Sequence, residues 1–165
     1  MEAKKLAGLE PASVFDYFEE ICAIPHGSRN TKAVSDYVVD FAKSHGLRYV
    51  QDDMNNVVVY APGTCGLEDH PTVILQGHLD MVCEKNADCP IDMTAQGLDV
   101  MCDDKFVFAK GTTLGGDDGI AIAMGLALLN DPAIAHPPVE LVCTTEEEIG
   151  CLGANALDMS VLQGR

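Results

Sequence analysis

Two short segments of almost continuous apolar sequence constrain the fold of this chain more than any other feature. Residues 72–76 (TVILQ) are typical of a β-strand covered on both faces, and residues 139–144 (VELVCT) predict a second buried strand. Segments with helical spacing of apolar residues, or rich in Ala and Leu, separate most of the strands. Helices are predicted at residues 10–22, 31–45, 118–130 and 149–157, and further strands at residues 48–52, 56–60 and 106–109. This order predicts an α/β fold in which a mixed β-sheet is flanked by layers of helices.

The length of the chain and its even composition predict one domain. A chain of 165 residues can bury one core, and the sequence has no internal repeat, low-complexity tract or linker. Residues 84–104 are polar and contain Pro90 and Gly97, which predicts irregular structure. The longest nearly apolar stretch has 11 residues, at 119–129, whereas a transmembrane helix needs about 20. The N-terminal sequence has no apolar run typical of a secretory signal, so we expect a cytoplasmic protein.

The charge distribution limits the classes of partner. The formal net charge is −16, and residues 51–165 carry four basic and nineteen acidic side chains. Such a surface repels nucleic-acid phosphates and anionic lipids, so we expect neither nucleic acid nor a membrane as a partner. The acidic side chains either form ordinary solvated surface or face a multivalent cation. The seven cysteines include no C-x-x-C pair, which favours reduced, mostly buried thiols over disulfides or a thiolate metal site.

Ionisable residues follow both apolar strands. His78 and Asp80 come directly after residues 72–76, and residues two apart in an extended chain point to the same side. A carboxylate beside a histidine fixes the imidazole tautomer for metal binding, although such a pair also occurs where it only stabilises a loop. Three glutamates at 146–148 follow the strand at 139–144, at the end of a sheet where α/β proteins place active sites. They either form a solvated face or divide the roles of cation ligand and general base.

A third acidic cluster opens the helix at 118–130. Asp117 and Asp118 lie in the sequence GGDDG, where carboxylates complement the helix dipole and cap its free N–H groups. The flanking glycines exceed what a cap needs and suggest backbone that passes close to a ligand. Two aspartates without a nearby lysine repel phosphate, which excludes a phosphate-binding loop. The three clusters, each at the end of a predicted element, together indicate a cation site.

Four longer motifs carry a family resemblance. They are IPHGS, QGHLDMVCEKN, AKGTTLGGDDGIAIAMGLALL and TTEEEIGCLGA, at residues 24–28, 76–86, 109–129 and 144–154. With these motifs the chain resembles the dinuclear zinc exopeptidases, and within that family it is most similar to the aminoacyl-histidine dipeptidases. The likeness extends from the first predicted helix onward and implies the layered fold of a zinc-peptidase catalytic domain.

The resemblance also implies roles for individual residues. It makes His78 a ligand of one zinc ion, Asp117 a bridge between two ions, and Glu148 a ligand of the second ion. Asp80 would orient His78, and Glu147 would be the general base. The implied cofactor is a pair of Zn²⁺ ions, with Mn²⁺ or Co²⁺ as alternatives. The family pattern further implies a cis peptide bond between Asp117 and the aspartate that follows it.

The resemblance implies that residues 1–165 are the N-terminal part of a catalytic domain. Relatives in this family continue further, with a lid or dimerisation domain and a C-terminal part that supplies another acidic ligand and a histidine. We therefore expect the 165-residue polypeptide to be inactive by itself. The intact enzyme is expected to form a homodimer through the further domain.

We expect the intact enzyme to hydrolyse dipeptides, and Xaa-His dipeptides in particular. A related zinc aminopeptidase or an N-acyl amino-acid deacylase is an alternative, because the three site motifs serve that whole group. A non-catalytic module that binds Ca²⁺ or Mg²⁺ through Asp117, Asp118 and residues 146–148 is an alternative of another class. Those hard ions prefer oxygen ligands alone, whereas His78 favours zinc or another transition metal.

Overall fold

The structure is a computed structural model that describes residues 4–164. It contains a mixed sheet with helices packed against it, as the sequence predicts. The helices are α1 (Ala12–Cys22), α2 (Lys32–Ser44), α3 (Gly116–Asn130) and α4 (Leu152–Ala156). The strands are β1 (Arg48–Gln51), β2 (Val57–Ala61), β3 (Val73–His78), β4 (Val100–Cys102), β5 (Val107–Ala109) and β6 (Val139–Thr144). A single 3-10 turn at Met159–Val161 follows α4.

The pairing of β3 with β6 decides where the ionisable residues meet. The four-stranded sheet has the order β1-β2-β6-β3, in which β6 is antiparallel to β2 and parallel to β3. The parallel register runs from Val73 opposite Val139 to His78 opposite Thr144. Both strands therefore end at the same edge of the sheet, and the residues that follow them lie side by side.

The core lies between the sheet and the first three helices. Its fully buried side chains come from α1, α2, β2, α3 and β6, and include Ile21, Val38, Val59, Ile122, Leu126 and Leu141. Burial of each such aliphatic side chain stabilises the fold by about 1.5–3 kcal/mol. Helix α3 packs against both β3 and α1, and this places the start of α3 beside the end of β3.

Three predictions about local structure are wrong. Strand β3 is not covered on both faces, since Val73 is 39% exposed and Gln76 is also exposed, and it lies at the edge of the described four-stranded sheet. The polar segment 84–104 is not wholly irregular, since it contains β4, which forms a two-stranded sheet with β5. Helix α4 begins at Leu152 rather than near residue 149, because a non-helical turn precedes it.

Other predictions are confirmed. Strand β6 is buried along its whole length. All seven cysteines are free thiols, but the prediction that most of them are buried is wrong, because only Cys22 and Cys143 lie in the core. The peptide bond between Asp117 and Asp118 is cis. Among residues 4–164, no helix combines the length and the apolar character needed to cross a bilayer.

Candidate metal centre

His78, the last residue of β3, presents one ring nitrogen to the sheet edge. Its Nδ1 lies 2.9 Å from the backbone carbonyl of Asp80, and its Nε2 lies 3.0 Å from Asp117 Oδ1. Because a carbonyl only accepts, Nδ1 must carry a hydrogen, so Nε2 is the nitrogen that can bind a cation once it gives up its own proton. Hydrogen bonds that the His78 ring donates to Asp80 first and to Asp117 second raise the pKa of His78 to about 9, against the opposing effect of burial. The same negative charge favours a metal ion at Nε2.

Asp80 connects the end of β3 to the turn after β6. Its side chain is fully buried and accepts hydrogen bonds from the Ser28 hydroxyl at 2.7 Å and the Glu147 N–H at 2.9 Å. The Glu148 N–H donates to the same carboxylate at 3.3 Å. Burial raises the pKa of Asp80, but the hydrogen bonds, that from His78 foremost, outweigh it and lower the pKa to about 2. Asp80 is therefore a charged carboxylate that holds two sides of the site in register.

Asp117 reaches the site because the first turn of α3 is distorted. Gly115 precedes α3 with a left-handed φ of 70°, and Asp117 has φ −88° and ψ 107°, outside the helical region. The Asp117 side chain is 86% exposed and points its Oδ1 at His78. Asp118 turns the other way: its carboxylate accepts a hydrogen bond from the His78 N–H at 3.4 Å, and burial raises its pKa. Asp117, rather than Asp118, faces the site.

The three consecutive glutamates take three different positions. Glu146 is buried, has a φ of 57°, and accepts hydrogen bonds from the Arg29 N–H on both carboxylate oxygens, at 2.9 and 2.8 Å. Glu147 is 41% exposed, with Oε2 3.9 Å from His78 Nε2. Glu148 is half-buried and belongs to the cluster that could hold a metal. The sequence alone does not separate these three carboxylates, whereas the turn gives each a distinct environment.

The predicted ligands converge. Ligand atoms of His78, Asp117 and Glu148 all lie within 4.8 Å of one another, and no other such group of three is found among residues 4–164. One imidazole nitrogen and two carboxylate oxygens fit zinc and similar transition metals better than Ca²⁺ or Mg²⁺. The residues present therefore suit the metal that the sequence motifs imply.

Sequence reasoning missed the contacts of three residues near the site. These are His26 and Ser28 of the IPHGS loop and Glu146 of the turn after β6. Ser28 binds Asp80 and Glu146 binds the Arg29 N–H, whereas the family resemblance gives neither Ser28 nor Glu146 a role. His26 is not a solvent-exposed loop histidine, since it is only 3% exposed. Its Nδ1 lies 2.6 Å from the Ile24 carbonyl, and its Nε2 has no hydrogen-bond partner. The motif itself was visible, but these contacts depend on residues far away in the sequence.

Known proteins share both this sequence and this fold. Over 159 residues, 96% of this chain, the sequence is 40% identical to the cytosol non-specific dipeptidase of Escherichia coli (strain K12). The crystal structure of aminoacylhistidine dipeptidase from Vibrio alginolyticus matches 96% of the chain, with 40% identity and a TM-score of 0.93. The chain is therefore similar in both sequence and fold to two proteins named as dipeptidases.

The chain spans about one third of the length of these two relatives, 33% and 32% respectively. An aminopeptidase from Bacillus cereus shares the fold, with a TM-score of 0.76 over 92% of this chain and 41% of its own, at 20% identity. No protein-family model matches the chain. The similarity in sequence and structure confirms the family resemblance and the fold class that the sequence predicts. The geometry of the candidate metal centre agrees with both.

Proposed function

We propose that the protein carrying this chain is a metal-dependent dipeptidase with two cations at the sheet edge. His78 would hold one ion, Glu148 would hold the other, and Asp117 would be a ligand shared by both. The observation that carries this proposal is the convergence of these three side chains within 4.8 Å, in a chain 40% identical to two proteins named as dipeptidases. Zn²⁺ is the proposed ion, with Mn²⁺ or Co²⁺ as alternatives, because an imidazole joins the carboxylates.

Glu147 is the proposed general base. Metal ions at this position supply Lewis-acid polarisation of a scissile carbonyl and of an attacking water. Glu147 is partly exposed beside His78, so its carboxylate can accept the proton of the water and pass it to the leaving amine. Glu146 is unsuited to this role, because it is buried and both its oxygens accept the Arg29 N–H. Asp80 orients His78 and the backbone of the turn.

The proposed substrates are dipeptides, Xaa-His dipeptides among them. One relative is named an aminoacylhistidine dipeptidase and another a cytosol non-specific dipeptidase. By the same analogy we place the protein in the cytosol and expect a homodimer formed through a further domain. The polypeptide of residues 1–165 provides each ion with only two ligands, whereas catalytic zinc usually has about three. We therefore expect that polypeptide alone to bind zinc weakly and to be inactive.

Removal and return of the metal tests the proposed function. The native gene product is stripped with a chelator, and hydrolysis of an Xaa-His dipeptide is followed by chromatography as Zn²⁺, Mn²⁺ or Co²⁺ is added. Activity should vanish with the chelator and return with the metal. Turnover that persists in the stripped protein would contradict the proposal.

The Glu147→Gln variant tests the general base. We expect a loss of about 10²–10⁴-fold in kcat with metal content unchanged, because general-base catalysis contributes about that factor. Glu68→Gln, a change at an exposed glutamate in a loop, is the matched control and should retain full activity. A Glu147→Gln variant as active as this control would remove Glu147 from the mechanism.

A further inference from the structure

A serine in the loop after α1 makes a side-chain hydrogen bond to the buried carboxylate beside the candidate metal centre. The Ser28 hydroxyl donates to Asp80 Oδ2 at 2.7 Å, although the two residues are 52 positions apart in the chain. Asp80 is the residue that connects His78 to the turn after β6. We propose that Ser28 is a positioning residue, whose hydroxyl fixes the orientation of the Asp80 carboxylate and thereby of the groups that hold the metal. This inference rests on the proposed function.

The two oxygens of the Asp80 carboxylate contact different groups of the site. Oδ1 accepts the hydrogen bond of the Glu147 N–H at 2.9 Å and lies 3.6 Å from His78 Nδ1. Oδ2 accepts from the Ser28 hydroxyl at 2.7 Å and from the Glu148 N–H at 3.3 Å. The terminal torsion of an aspartate is broad, so its rotamer alone does not fix the two oxygens. Because a rotation of the carboxylate moves both oxygens together, a donor that fixes Oδ2 also fixes Oδ1.

The burial of Asp80 increases the importance of this hydroxyl. The Asp80 side chain is fully buried, and a buried carboxylate is costly unless hydrogen bonds compensate for the water that it loses. Hydrogen bonds to a charged group are also stronger than those between neutral groups. Without the Ser28 hydroxyl, Oδ2 is left with the longer bond from the Glu148 N–H. We therefore expect the carboxylate to turn, and this movement disturbs the contacts of Oδ1 with His78 and the turn.

The backbone of the loop holds Ser28 in place independently of its side chain. The Ser28 N–H donates to the Met81 carbonyl at 3.3 Å, and the Met81 N–H donates to the His26 carbonyl at 3.1 Å. On the other side, the Arg29 N–H donates to both carboxylate oxygens of Glu146, at 2.9 and 2.8 Å. These bonds attach the loop to the segment after β3 and to the turn after β6. Removal of the half-buried hydroxyl should therefore leave the loop folded.

The zinc affinity of the Ser28→Ala variant tests the proposal in the native gene product. A competitive titration with a zinc chelator should show affinity about tenfold weaker than in the wild type, as is typical when a group that orients a metal ligand is removed. Ser44→Ala is the matched control, because it removes a hydroxyl that donates to the Phe41 carbonyl at 2.8 Å. Ser44 lies at the end of α2, which contributes no residue to the candidate metal centre. This control should bind zinc as tightly as the wild type.

A double-mutant comparison tests whether Ser28 acts through Asp80. In the Asp80→Ala background, Ser28→Ala should change the zinc affinity by less than about twofold, since the acceptor of the hydroxyl is already absent. A tenfold effect that persists in this background would overturn the proposal. Ser28→Thr retains a hydroxyl and should bind zinc nearly as tightly as the wild type. A Ser28→Thr variant as weak as Ser28→Ala would contradict a role for the hydroxyl.

Activity at saturating zinc separates the proposed function from the role of Ser28. The same carboxylate holds the Glu147 N–H, so kcat for the dipeptide Ala-His should fall about tenfold in Ser28→Ala while KM changes little. If wild-type protein binds zinc but hydrolyses no dipeptide, the proposed function fails, and the zinc affinities still test Ser28. Wild-type zinc affinity in Ser28→Ala, or an equal loss in Ser44→Ala, would overturn the role of Ser28 alone.

Discussion

At the scale of single residues, one buried carboxylate organises the candidate metal centre. Asp80 accepts hydrogen bonds from Ser28 and from the backbone of both Glu147 and Glu148, and its own backbone carbonyl accepts from His78. Residues that orient a metal ligand typically change metal affinity by about 10–100-fold when they are removed. The geometry of the site thus depends on a residue that is not itself in the ligand cluster.

The Asp80→Ala variant should therefore bind zinc about 10–100-fold more weakly in the native gene product. In this variant the Ser28 hydroxyl and the N–H groups of Glu147 and Glu148 lose the carboxylate that accepts their hydrogen bonds. The turn that carries Glu148 is therefore less constrained. A competitive titration with a zinc chelator measures the change, with Asp104→Ala at an exposed aspartate as the control. Equal affinities of the two variants would show that Asp80 does not position the ligands.

The buried His26 gives a prediction about pH. Burial is the main cause that lowers the pKa of His26, so the folded chain keeps it neutral while the unfolded chain takes up a proton near pH 6.5. The unfolded state then binds more protons, and the free energy of unfolding should fall as the pH drops below about 6.5. Denaturant unfolding between pH 7 and pH 5 should show that the free energy of unfolding depends less steeply on pH in His26→Asn than in the wild type. The same pH dependence as in the wild type would mean that folding does not lower the pKa of His26, and His70→Asn, at an exposed histidine, controls for general effects.

At the scale of elements, the start of α3 sets the position of Asp117. Gly115 has a φ of 70°, and a Cβ there would lie 2.8 Å from Met81 Sδ and 3.1 Å from His26 Nε2. A side chain at this position is therefore disfavoured both by the backbone conformation and by its neighbours. A glycine at residue 115 therefore favours the turn that presents Asp117.

Gly115→Ala should accordingly weaken zinc binding and lower the stability by more than Gly46→Ala does. Gly46 is a matched control because its φ is 65° but a Cβ there would meet no atom within 4 Å. The left-handed conformation alone costs about 1–2 kcal/mol for a residue with a Cβ, so the difference between the variants isolates the contact with Met81 and His26. Thermal unfolding and zinc titration of both proteins measure it. Equal losses in the two variants would contradict a packed position for Gly115.

The elements and ends of the main strands were predictable from sequence, and the supporting contacts were not. Apolar runs mark β3 and β6. Ionisable residues follow the C-terminal end of each strand and predict that their side chains converge, which the parallel pairing of the strands produces. The bond from Ser28 to Asp80 joins residues 52 apart, and that from Arg29 to Glu146 joins residues 117 apart. No local pattern encodes such contacts. Strand β4 was missed for a similar reason, since three residues carry too little periodicity.

At the scale of the whole molecule, the acidic charge and the fold are consistent with a cation site. The net charge of −16 is concentrated after residue 50, where the clusters at the ends of β3 and β6 and the start of α3 lie. Bound divalent ions offset the mutual repulsion of Asp117, Glu147 and Glu148, which is a physical reason for metal binding to stabilise this edge of the sheet.

Anomalous diffraction at the zinc edge tests the central claim most directly, because it locates the ions without reference to activity. Crystals of the native gene product soaked in Zn²⁺ should show two peaks about 3.5–4 Å apart. One peak should lie about 2.0–2.1 Å from His78 Nε2, the other should lie about 2.0–2.2 Å from a Glu148 oxygen, and Asp117 should contact both. Zinc peaks away from these three side chains, or no peak at this edge of the sheet, would contradict the account.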